Sequence, residues 1–187
     1  MSRFLVSAAL AAGLLAGCGN PNDLPDATIP NVELTATLSA LTGTPVARPS
    51  AYSVADATTV RSDQGGAFDF AFNIDASGQA VLLPLAVLGL GVQTGTNAGF
   101  IKVDQTFEAI ESAPLNGYVT ADTIHIAVGE RYVVRSRVVC SGLGLPKYGK
   151  IEITEINPAP EARTVTFRVL TDDNCGYRGL APDIPTN

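Results

Sequence analysis

The chain has no tryptophan, one histidine (His125) and only three cysteines in 187 residues. A single histidine starves a zinc site of ligands, and Cys18, Cys140 and Cys175 form none of the close CxxC pairs that zinc ribbons and dithiol oxidoreductases use. There is no GxSxG elbow for a nucleophilic serine. The glycine cluster "GLGVQTG" lacks the third glycine, the following helix and the distal acid of a dinucleotide fingerprint, so it reads as a flexible connection. Basic charge is also scarce. Twelve Lys and Arg stand against eighteen Asp and Glu, a net charge of −6 that argues against nucleic acid and against adhesion to anionic lipid. No apolar run reaches the length of about 20 residues needed to cross a bilayer as a helix.

The first residues read "MSRFLVSAALAAGLLAGC". Arg3 is a minimal basic start, Phe4 to Ala16 form an apolar run of 13 residues, and small residues lead to Cys18. That is the length and order of a secretory signal peptide. Leu15-Ala16-Gly17-Cys18 resembles the lipobox of bacterial lipoproteins at all four positions. The resemblance covers the leader alone. It implies cleavage after residue 17, diacylglycerol on the Cys18 thiol, and attachment to the lipid bilayer through that group. Each buried methylene contributes about 0.8 kcal/mol, and two acyl chains suffice for stable anchoring. Gly19, which is not acidic, implies sorting to the outer membrane in a diderm bacterium, with the body facing the periplasm or the surface.

Removing 17 of the 187 residues leaves 170, enough for one domain with a substantial core. The leader carries Arg3 and no acid, so the body has a net charge of −7. Export brings an oxidising compartment, and Cys140 and Cys175 then form a structural disulfide.

Residues 18–31, with "GNPNDLPDATIPN" after the cysteine, have three prolines and no hydrophobic period. They read as a lipidated flexible tether, reaching roughly 40 Å when extended. The proline-rich end, 179–187, reads as a loose tail. Between them, period two dominates. "VELTATLSAL" separates Val32, Leu34, Ala36 and Leu38 from Glu33, Thr35, Thr37 and Ser39. "AFDFAFNI", the turn "DASG" and "QAVLLPLAVL" read as a hairpin. "RYVVRSRVV", "KIEITEI" and "TVTFRVL" are strands rich in β-branched residues, the last two joined by "NPAPEAR". Only "DQTFEAIESA" suggests a helix, with Asp104 as its N-cap. The expectation is an all-β fold: an antiparallel β-sandwich or barrel-like body over 32–178 with at most one short helix. A C-terminal subdomain from about residue 120 is a further option.

Four stretches bear on chemistry. His125 in "TIHIAV" points away from the face of Ile124 and Ile126 and reads as a surface strand residue. "NIDASG" spaces Asn73, Asp75 and Ser77 like a calcium loop, but the twelfth position is Pro84 where a glutamate is required, so it is a turn. "AVLLPLAVLGLGV" reads as a strand buried on both faces, with Pro84 at a bulge or edge. Arg131, Arg135 and Arg137 fall on one strand face around Val133. They are either a binding stripe for an anionic glycan or envelope protein, or cross-strand partners of acids such as Glu152.

The expected role is a lipid-anchored, non-enzymatic cell-envelope protein that binds or supports, with no cofactor, no metal site and no nucleic acid partner. The rival is a hydrolase of envelope polymers using carboxylates such as Asp69 and Asp75.

Overall fold

Alternation of apolar and polar residues sends successive side chains to opposite faces of a strand, and a one-sided apolar row must find a second layer. The computed structural model shows how this chain does so. It describes residues 24–64, 67–91, 96–140 and 142–185; the leader, the lipobox and Cys18 lie outside the described residues. The strands in chain order are β1 (Val32–Ser39), β2 (Ala51–Ser53), β3 (Thr58–Val60), β4 (Phe70–Ile74), β5 (Ala80–Pro84), β6 (Gly99–Val103), β7 (Ile124–His125), β8 (Arg131–Cys140), β9 (Leu145–Asn157) and β10 (Thr164–Asp172). They form two five-stranded antiparallel sheets, ordered β1-β10-β9-β8-β6 and β3-β2-β4-β5-β7. The fold is an all-β sandwich.

The inner faces supply the core: Ala36 and Leu38, Val165 and Phe167, Ile151 and Ile153 from the first sheet meet Tyr52, Phe70, Phe72 and Leu82 from the second. Phe70 sits 5.0 Å from Phe100 and 6.1 Å from Phe167, centroid to centroid, so aromatic contacts join the layers. The hairpin of β4 and β5 is as expected. Asp75 Oδ1 accepts from the Ser77 and Gln79 amides and the Ser77 hydroxyl, and Gly78 has a φ of 82°, which a side chain would strain.

The structure corrects five expectations. "DQTFEAIESA" forms no helix: Phe107 and Ile110 are buried on the outer face of the first sheet with Val133, Tyr148 and Leu170. Their carbonyls accept hydrogen bonds from the buried Lys150 Nζ, at 2.8 and 2.9 Å, instead of continuing a helical ladder. β5 ends at Pro84, and within "AVLLPLAVLGLGV" residues 85–89 leave the strand as turns. Leu85 and Leu88 cover the outer side of the second sheet at Ala51, Phe68 and Ala71. No subdomain begins near residue 120, because β8, β9 and β10 share a sheet with β1 and β6.

The tether and the tail are corrected together. Residues 24–31 are strapped to the body: Asn174 Oδ1 accepts from the Thr28 and Ile29 amides, Asn174 Nδ2 donates to the Ile29 carbonyl, and the Tyr177 hydroxyl donates to the Pro25 carbonyl. Asn31 Nδ2 donates to the carbonyls of Gly179 and Ala181, and the Asn31 amide donates to Asp183. Leu180 is fully buried. Two segments without hydrophobic period are thus ordered by binding each other. Behind them lies Asp172, whose carboxyl is pushed up to about 6 by burial and whose Oδ1 accepts from Asn174. Cys140 and Cys175 are disulfide-bonded, Cα to Cα 5.9 Å, at this same end of the sandwich.

Candidate functional site

On one side of the sandwich the two sheets end in edge strands that meet, β1 of the first sheet and β3 of the second. An edge strand presents main-chain N–H and C=O groups without ladder partners. The direction of those groups in β1 follows from two hydrogen bonds. The Ala40 amide donates to Arg163, the residue preceding β10, while the Ser39 amide donates to Pro49 on the other side. Backbone polar groups alternate between sides along an antiparallel strand. Val32, Leu34, Ala36 and Leu38 therefore ladder with β10, and Glu33, Thr35 and Thr37 point their N–H and C=O outward.

The ends of this edge are closed. Asn31 is occupied by Asp183 and Ser39 by Pro49. Between these closures, among the described residues, Glu33, Thr35 and Thr37 have no strand partner on that side. A cavity of about 330 Å³ opens there, lined by Leu34, Thr35, Ala36 and Thr37 of β1, Thr58 and Thr59 of β3, and Tyr52 and Ala57. Tyr52 is 1% exposed, its ring tilted against Phe70 and edge-on to Phe167. Its hydroxyl has no hydrogen-bond partner, and burial holds its pKa far above the ordinary tyrosine value. A buried hydroxyl left unpaired costs about 1–3 kcal/mol.

The sequence-predicted residues lie elsewhere, and the structure separates them. Arg131 and Arg135 do share the outer face of β8 with Val133, but Arg131 pairs with Glu152 at 3.4 Å. Arg135 donates to the Asn97 carbonyl and stacks over Tyr118, 4.4 Å from its centroid. A register shift between Arg135 and Val138 turns Arg137 out of this row. Its amide and guanidinium both donate to Asp69 Oδ1, at 2.7 and 3.0 Å. The three arginines are internal partners, not a free binding stripe.

Asp69 is no surface carboxylate. It is 0% exposed, and its other oxygen accepts from the Val54 and Ala55 amides at 2.7 and 3.3 Å. Burial raises its pKa, against the lowering effect of these donors. Asp75 is spent on its turn, and its hydrogen bonds hold its carboxyl below the usual range. His125 is exposed, as expected of a surface strand residue. No cluster of three or more His, Cys, Asp or Glu suited to a metal occurs among the described residues.

Sequence reasoning missed Tyr52, β2 and β3, because strands of three residues are too short to show a period. It also missed Arg168, which binds Glu33, Glu108 and Glu152 at 2.8–3.2 Å and stacks over Phe107, pinning the 104–118 segment across the first sheet. No protein-family model and no curated protein matches this chain.

Proposed function

We propose that the chain is a lipid-anchored cell-envelope protein, held at the outer membrane through Cys18, that works by binding an extended peptide segment along the open edge of β1. The observation that carries the binding half is the gap in that edge: outward N–H and C=O groups at Glu33, Thr35 and Thr37, bounded by Asp183 and Pro49, over a cavity lined by Tyr52 and the threonines of β3. Pairs of donors and acceptors repeating every second residue are what an added β-strand recognises. The hydrolase reading is less well supported, since both carboxylates nominated for it are spent on the protein's own backbone.

Substituting Thr35→Pro tests the binding half. Proline removes an amide that faces outward, so the ladder to β10 survives, as edge strands allow. Peptides selected from a displayed library on the whole protein should bind Thr35→Pro about tenfold or more weakly, the loss of one to two main-chain hydrogen bonds. Thr35→Val keeps the amide and should retain binding. Selected peptides indifferent to the proline, or no selected peptide at all, would remove the edge as the site.

The anchoring half rests on the lipobox. Cys18→Ser should abolish incorporation of a fatty-acid label and move the protein from the membrane fraction to the soluble envelope fraction. A mutant that still takes up label would refute lipid attachment at that cysteine.

A further inference from the structure

We infer that the end of the sandwich bearing the N-terminal strap is seated directly on the phospholipid surface, with Leu143 and Ile29 at the level of the headgroups and upper acyl chains. This rests on the acylation half of the proposed function and adds an orientation to it. With Leu24–Asn31 fastened to Asn174, Tyr177 and the 179–183 segment, the only chain left between the acylated Cys18 and the body is Gly19–Asp23. The six residue steps from Cys18 to Leu24 reach at most about 20 Å when fully extended. A tether of that length cannot lift the strap end far from the interface in which Cys18 is embedded.

The surface at that end suits the contact. Ile29 and Leu143 are exposed, at 46% and 47%, and flank a cavity of about 290 Å³ whose lining also includes Pro25, Cys175 and Tyr177. Ile184, beside the Asp183 bridge to Asn31, is exposed as well. The acids at this surface are Asp26, Asp173 and Asp183, and Asp173 is paired with Lys147 at 2.9 Å. With a body charge of −7, the favoured surface is zwitterionic rather than anionic lipid. Seating would also leave β1 projecting outward, since its eight residues carry the chain about 25 Å from the strap to the opposite end, where Val46 is 67% exposed.

The absence of tryptophan makes the test direct. Leu143→Trp, Ile29→Trp and, as the distal control, Val46→Trp each place one indole on an exposed position of the full-length, exported protein. Each is reconstituted into phosphatidylcholine vesicles whose acyl chains carry bromine near the headgroup, and its acylation is read by mass on the same sample. In acylated protein the Trp at 143 and at 29 should lose emission to the bromine, while that at 46 keeps the emission it has in bromine-free vesicles. If acylated protein shows no loss at 143 and 29, or an equal loss at 46, the seating is wrong and the anchor stands. If the mass shows no acyl group, the anchor reading fails and the seating fails with it.

Discussion

Asp69→Ala should lower the stability of the protein by about 4 kcal/mol, the size expected when one partner of a buried, hydrogen-bonded ion pair is removed. Four donors converge on this carboxylate: the amides of Val54, Ala55 and Arg137, and the Arg137 guanidinium. Alanine accepts from none of them. Three main-chain amides and a largely buried guanidinium would be left without their acceptor in a region closed to water. The damage would not stay local. Asp69 lies just before β4 in the second sheet and Arg137 is in β8 of the first, so the carboxylate joins the two layers at the point where the β8 ladder shifts register. For a body of this length the loss corresponds to a fall in Tm of roughly 10 °C. Asp69→Asn keeps one acceptor oxygen but turns an amide toward donors, and should fall between wild type and alanine. A melting shift for Asp69→Ala no larger than an ordinary surface substitution, about 0.5 kcal/mol, would show that the hub is dispensable.

That hub also marks where local reading ends. The hairpin of β4 and β5 was legible because everything that makes it lies within fifteen residues: the alternation of Phe70, Phe72 and Ile74, an aspartate able to cap its own turn, and a glycine at the left-handed position. The long strands β8, β9 and β10 were legible for the same reason. What Arg137 does was not. Period two placed it beside Arg135, and only the register shift turns it toward an aspartate 68 positions away. The segment at 104–114 has a helix-like pattern, but Lys150, forty residues on, takes the carbonyls that a helix would use. Local propensity yields there to a tertiary contact.

The strap and tail make the same point from polar residues. Neither has a periodicity because neither forms a strand of its own. Asparagine side chains do much of the ordering: Asn174 satisfies main-chain groups of the strap, and Asn31 of the strap satisfies carbonyls of the tail. The candidate site was half visible. "VELTATLS" announces an amphipathic strand, but nothing in those eight residues says that it stands at an edge. Edge status is a property of strand order, which β10 decides by pairing with β1 on one side and β9 on the other.

Replacing Cys140 and Cys175 together by serine should lower stability by about 4 kcal/mol, again roughly 10 °C in Tm, since the bond spans 35 residues and constrains the unfolded chain accordingly. The position of the bond predicts how the loss will be distributed. Cys175 follows Asn174, which holds Thr28 and Ile29, and Cys140 begins the turn into β9 that carries Leu143. Between them they close the end of the sandwich on which the strap lies, where buried apolar contacts are fewer than between the sheets. Opening should therefore begin there, as regions of low local stability do. In the double mutant, limited proteolysis should cut within 24–31 or 174–185 while the β8-β9-β10 sheet remains resistant, and the oxidised wild type should resist at both places. Reducing the wild type should reproduce the mutant pattern. Equal resistance of oxidised wild type and double mutant at the strap would mean that the asparagine contacts hold that end closed without the disulfide.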